Sequence, residues 1–196
     1  MNVKQTMLVS LEKLMKKTEQ TVPENWHENF IVHLASITRP KVYVELGLYQ
    51  CTLFNRIIPY AECLIGVEMK KDFKKFMKKD KKTQFKCMTT DEYAQELQKN
   101  PIQINMLFID ANHSKESVKK DFEQFFPFVA PHGLILLHDG HPKNENYTAS
   151  GYCGDGYKAI EELSRHTNNY EMMTIPVHPG ITLCRKRQKQ LSWKEF

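Results

Sequence analysis

From residue 41 onward, short unbroken apolar runs alternate with segments whose apolar residues recur every three or four positions. Val42-Tyr-Val-Glu-Leu46, Cys63-Leu-Ile-Gly-Val67, Ile104-Asn-Met-Leu-Phe-Ile109 and Gly133-Leu-Ile-Leu-Leu137 are too short for buried helices and read as buried strands. Strands are predicted over 41–45, 62–68, 84–89, 103–110 and 133–138, with helices over 50–58, 70–79, 91–99 and 115–126 between them. The end of the chain adds a helix over 155–167 and two strands, 170–175 and 180–185, joined by a short turn at Pro176–Gly180. Ahead of Pro40 lie two helical segments, one ending before Thr21-Val-Pro23 and one over 24–37. Strand–helix alternation predicts an α/β chain with a seven-stranded, mainly parallel sheet and helices on both faces. The closing hairpin sets an antiparallel strand at the sheet end, and the two N-terminal helices are extra to the alternation.

Composition narrows the setting. At 196 residues, 41% hydrophobic and 26% charged, the chain has the size and make-up of one globular domain. That domain is expected over 39–187, with a helical extension at 1–38 and a basic tail at 188–196. No apolar run approaches the roughly 18 residues of a membrane span. Met1 to Lys17 has one apolar helix face rather than a signal-peptide plan, and the expected location is cytoplasmic. The five cysteines are scattered without a C-x-x-C pair, as reduced thiols would be.

The net charge of +5 is concentrated: Lys70 to Lys82 holds eight lysines against two aspartates, and Arg185-Lys-Arg187 with Lys189 forms a second basic cluster. Phe73, Phe76 and Met77 form a stripe between those lysines. The segment therefore reads as an amphipathic helix with a solvated face, in preference to a nucleic-acid patch.

Candidate chemistry tracks the strand ends. Glu45, Glu68, Thr90 and Asp91, Asp110, and His138 and Asp139 all fall at the carboxyl ends of predicted strands, where open α/β sheets bind ligands. Gly47 follows the first strand and an acid, Glu68, follows the second. A glycine turn that admits the ligand to the backbone, with a carboxylate for ribose hydroxyls, points to an adenosine-containing cofactor.

The set Val44-Glu-Leu-Gly-Leu-Tyr49, Met88-Thr-Thr-Asp-Glu-Tyr93, Phe108-Ile-Asp-Ala-Asn-His-Ser114, Asp121-Phe122, Pro131-His-Gly-Leu-Ile-Leu-Leu-His-Asp139 and Gly154-Asp-Gly-Tyr-Lys158 resembles class I S-adenosylmethionine-dependent methyltransferases. The likeness is strongest to small bacterial-type O-methyltransferases of sugars and secondary metabolites, and runs from about residue 41 to 186. It implies a Rossmann-like fold and S-adenosylmethionine as cofactor. By position it assigns Glu45, Gly47, Tyr49, Cys51, Thr52, Glu68, Met69, Thr90, Asp91 and Asp110 to cofactor binding. It places His113, His138 and Asp139 near the transferable methyl as catalytic candidates. Cys51 stands where the family usually has a small residue, most often glycine, and it lacks glycine's freedom at positive φ.

Methyl transfer from a sulfonium needs in-line alignment, and an alcohol acceptor must also lose a proton. His113 is the candidate base, with a surface histidine in a helix-entry turn as the alternative. Asp110 and Asp139 are candidate ligands of a magnesium-type ion, although Gly140 stands where related metal-dependent enzymes carry a third ligand. Residues 140–156 form a long loop read as a lid over the acceptor, with Tyr147, Tyr152 or Tyr157 against it.

The expected activity is therefore O-methylation of a small-molecule or glycan hydroxyl. RNA or protein methylation and a catalytically inactive cofactor-binding domain are the alternatives. The N-terminal helices either cover the acceptor site or form a homodimer contact.

Overall fold

In the computed structural model, residues 22–149, 151–165 and 169–187 are described. The first expected N-terminal helix and the tail at 188–196 lie outside them. Helix α1 (Trp26–Thr38) precedes an alternation of β1 (Val42–Leu46), α2 (Thr52–Ile57), β2 (Cys63–Val67), β3 (Thr83–Lys86), α3 (Thr90–Lys99), β4 (Ile104–Ile109), α4 (Lys115–Phe125) and β5 (Val129–Leu137). The chain closes with α5 (Tyr157–Leu163), β6 (Tyr170–Ile175) and β7 (Ile181–Lys186). The seven strands form one sheet in the order β3-β2-β1-β4-β5-β7-β6. The pairs from β3 through β5 are parallel. β7 runs antiparallel to both β5 and β6, so it sits one place in from the sheet end.

Apolar side chains cover both faces. One face buries Leu46, Val67, Leu107 and Leu137 beneath α3, α4 and α5. The other buries Tyr43, Leu64, Met106 and Leu136 beneath α1 and α2. At about 1.5–3 kcal/mol for each fully buried large side chain, this double burial holds the β1–β4 centre rigid.

Three predicted elements differ. The helix expected over 70–79 is a 3-10 turn, Lys71–Phe76, with none of its residues buried. Six lysines in ten residues leave it no apolar face wide enough to pack a helix. β5 begins earlier than expected, at Val129, and its pairing with β4 shifts register between Ile104 and Met106. The helix expected over 155–167 is shorter, Tyr157–Leu163, and the Asp155 carboxylate ahead of it accepts from the Lys115 backbone N–H at 2.8 Å, at the start of α4.

The strand order reverses between β1 and β4, which opens the crevice in which such sheets bind ligands. Backbone bonds fix the exits there: Gly47 N–H donates to Val67 O, Asp110 N–H to Leu46 O, and His138 N–H to Ile109 O.

Candidate active site

The loop leaving β1 has three residues with positive φ in five: Gly47 at 86°, Tyr49 at 43° and Cys51 at 54°. A Cβ on Gly47 would stand 2.3 Å from the Asp110 carbonyl oxygen, so only glycine lets the loop cross the end of β4. Cys51 does occupy the left-handed region, at a cost of about 1–2 kcal/mol. Its side chain is fully buried against α2 and its N–H donates to Leu48 O, which offsets that strain. Burial pushes the thiol up to about 12, so Cys51 is an inert packing residue.

Glu45 is buried, and its carboxylate accepts from the Tyr43 hydroxyl at 2.6 Å. Burial holds its carboxyl well above the ordinary range. Glu68 accepts from the Tyr49 N–H at 3.3 Å and from the Lys70 N–H at 2.9 Å, tying the loop after β1 to the end of β2. Tyr49 and Met69 are largely exposed at the rim.

Two connected cavities share Gly47, Glu68, Met69 and Ala111. The smaller, about 290 Å³, holds Thr90 and Asp91 together with Met88, Thr89 and Asn112. Thr89, rather than Thr90, caps α3, in a reciprocal capping box with Glu92. Asp91 is engaged by Lys120 at 2.6 Å and Gln124 at 3.1 Å, and the Lys120 bond holds its carboxyl low. The larger cavity, about 700 Å³, contains Glu45, Tyr49, Thr52 and Asp110 with all three catalytic candidates.

At its base, two histidines sit between two carboxylates. His138 Nδ1 lies 3.0 Å from Asp110 Oδ1 and 3.2 Å from Asp139 Oδ1. His113 Nδ1 lies 2.9 Å from Asp139 Oδ2, and its Nε2 lies 3.4 Å from Asp110 Oδ1. Bonding to Asp110 and then Asp139 raises the His113 imidazole to about 11. Burial works against the charge on His138, but Asp110 and Asp139 outweigh it and lift the imidazole to about 10. Both carboxyls are held low by these histidines against the opposing effect of burial.

Asp110 Oδ1 and Asp139 Oδ2 are buried without a well-aligned hydrogen bond. Candidate ligand atoms of Asp110, His113 and Asp139 all lie within 4.8 Å of one another. These three residues could hold a divalent cation, with His113, rather than a residue directly after Asp139, supplying the third donor. A side chain at 140 could not serve, because its Cβ would meet Thr182 Oγ1 at 2.5 Å.

The 140–156 loop is fastened over this cluster. His113 Nδ1 lies 2.6 Å from Tyr152 O, and the Gly156 N–H donates to His113 O at 2.8 Å. Tyr147 packs against Tyr152 at 5.6 Å and against His178 at 4.5 Å between ring centroids. His27, His178, Phe108 and Cys153 complete the wall and were not singled out from sequence. His27 stands 4.8 Å from the His138 ring, and burial, then the charge of His138, lowers its imidazole to about 4. His27 lies among polar residues, followed by Glu28 and Asn29, so nothing in the sequence marked it.

Residues 44–140 match the family model described as a methyltransferase domain. No match was found among curated proteins. Among solved structures, an O-methyltransferase from Bacillus cereus in complex with SAH is similar at 12% identity and TM-score 0.71, over 90% of this chain and 89% of that one. The O-methyltransferase TomG from Streptomyces achromogenes, involved in tomaymycin synthesis and in complex with SAM, is similar at 13% identity and TM-score 0.69, over 83% and 80% of the two chains. A methyltransferase from Geobacter sulfurreducens is similar at 10% identity and TM-score 0.62, over 91% and 88%.

Proposed function

We propose that this chain, whose residues 44–140 match a methyltransferase-domain model and whose fold is that of the O-methyltransferases described above, methylates a hydroxyl oxygen of a small-molecule acceptor. The observation that carries this reading is the continuity of the cleft. It runs from Thr90 and Asp91, past Gly47 and Glu68, to the cluster of Asp110, His113, His138 and Asp139 under the lid. When bound, the cofactor supplies an electrophilic methyl on a sulfonium. Glu68 is the ribose residue, Gly47 lets the backbone approach, and Asp110 stands between the cofactor and acceptor halves.

An acceptor hydroxyl entering below Tyr147 and Tyr152 meets His113 and Asp110, the more exposed members of the cluster, before His138 and Asp139. Those groups orient it by hydrogen bonding, which leaves alignment as the main contribution to rate. His113 faces Asp139 through Nδ1 and Asp110 through Nε2, and these carboxylates favour its protonated form. It becomes a base only after losing that proton, and a cation held by Asp110, His113 and Asp139 would remove it. Such an ion would also lower the pKa of an acceptor hydroxyl bound to it.

Calorimetric titration with S-adenosylmethionine, S-adenosylhomocysteine and NAD tests the cofactor. Saturable binding of the first two, no binding of NAD, and at least a tenfold loss in Glu68→Ala are expected. Lack of binding by both sulfur compounds would overturn the reading. Binding without turnover across a broad panel of phenols, sugars and alcohols would favour the inactive binding domain.

A further inference from the structure

We propose that the strap from Lys70 to Lys82 is a binding site for single-stranded nucleic acid, gripped through its phosphates. Sequence pattern makes this segment the polar face of a packed helix, but the structure removes that explanation. Only Lys71–Phe76 is helical, as a 3-10 turn, and none of its residues is buried. The lysines therefore lie on an irregular strap, packed through Phe73 and Met77, rather than along a helix face.

The strap is nevertheless held in one shape. Asn55 on α2 clasps it from both sides of Met77: its Nδ2 donates to Phe76 O at 2.8 Å, and its Oδ1 accepts from the Lys78 N–H at 2.8 Å. The Asp80 carboxylate accepts from the Lys82 N–H at 2.9 Å, and the Thr83 hydroxyl donates to Asp80 O at 3.0 Å. Lys71, Lys74, Lys75, Lys78, Lys79 and Lys81, with Asp72 and Asp80, line an open groove of about 1060 Å³.

Their charge exceeds that of the aspartates beside them, six to two. Among the described residues, no lysine of the strap forms an ion pair with a carboxylate. Lys86, Lys115, Lys119, Lys120 and Lys158 each do. In the other basic cluster, Arg185 and Arg187 share one carboxylate, Glu171. A row of six lysines against two aspartates stores repulsion that a polyanion relieves, with release of condensed counterions as the driving force.

The groove's apolar part selects the kind of polyanion. Met77 and Phe85 line it from the core side, and Phe76 is 39% exposed beside it with Lys75 Nζ 5.0 Å from its ring centre. Single strands offer phosphates together with base faces, and cationic grooves with aromatic rings accept both. A duplex keeps its bases stacked inside, and a flat anionic membrane does not enter a concave groove.

The test is fluorescence anisotropy of labelled 20-mers of uridine and thymidine with the full chain and no added cofactor, between 50 and 200 mM salt. Binding that weakens with salt at a log–log slope near −0.7 for each phosphate engaged is expected. The quadruple variant Lys74→Glu, Lys75→Glu, Lys78→Glu, Lys79→Glu should lose at least 30-fold in affinity and flatten that slope, with its affinity for S-adenosylhomocysteine retained. Should that variant fold poorly, Lys74→Gln with Lys78→Gln should lose at least threefold. Wild-type affinity in a folded variant would overturn the proposal. So would tighter binding to a matched duplex, to phosphatidylserine vesicles or to poly-glutamate at the same salt. Because cofactor is absent, the result stands apart from the methyltransferase reading.

Discussion

Glu45 shows what a single residue in this site costs. Its place at the end of β1 was legible from the strand pattern, but its burial behind Tyr43 was not, since it depends on α1 and α2 closing over that face. An unfolded glutamate titrates near 4.3, whereas burial holds the folded carboxyl well above its ordinary value. The native state therefore keeps a proton that the unfolded chain gives up. The stability contributed by that proton is fully present below the unfolded value and is lost as pH rises towards the folded one. Glu45→Gln keeps the shape and still accepts from the Tyr43 hydroxyl. The variant should gain on the wild type by about 1.4 kcal/mol for each pH unit above pH 5 until the folded carboxyl ionises. Urea midpoints at pH 5, 6.5 and 8 measure this, and parallel profiles would mean that Glu45 has no raised titration. Cys51 teaches a related lesson. The sequence flags a missing glycine, yet the backbone does take positive φ there and burial of the side chain compensates.

Among the elements, the 140–156 loop was expected to be a lid, and its anchor is specific. Gly154 has φ 60°, and a Cβ there would stand 2.4 Å from His113 O, so the loop passes as close to His113 as backbone can. Gly154→Ala should push Tyr152 off His113 while leaving the cofactor half of the cleft unaltered. Turnover should fall roughly 100-fold, as misplacement near the chemistry commonly costs, with affinity for S-adenosylhomocysteine changed less than threefold. An equal loss of both would show that the anchor supports the whole cleft rather than the acceptor side. Strands and most helices were readable because apolar period and turn residues are local signals. The Lys70–Lys82 strap was misread because Phe73, Phe76 and Met77 give a helical spacing without enough buried area to enforce a helix. The bond from the Lys115 N–H to Asp155 was not legible because only tertiary contact brings Asp155 to the start of α4.

At the scale of the whole molecule, the site joins parts that are distant in the chain. Asp110 closes β4, His113 begins the turn into α4, Asp139 follows β5, and His27 and His178 arrive from α1 and the β6–β7 turn. Strand-end residues could be named from sequence because the parallel sheet collects them along one edge. His27 and His178 could not, since no local pattern says which loop or helix will cover that edge. This dependence on the complete fold gives a test of the cation site: an ion that bridges Asp110, His113 and Asp139 binds the folded chain and not the unfolded one, so it raises the melting temperature. His113 must surrender its proton to become a ligand, and the two carboxylates hold that proton up to about pH 11. Affinity should then rise about tenfold with each pH unit through the neutral range. A melting shift with excess manganese should be clearly larger at pH 8.5 than at pH 6.5, and absent in Asp139→Asn. A pH-independent shift would place the ion elsewhere. No shift at either pH in the wild type would leave the carboxylates paired with His113 and His138 alone, and acceptor activation would fall to those four residues.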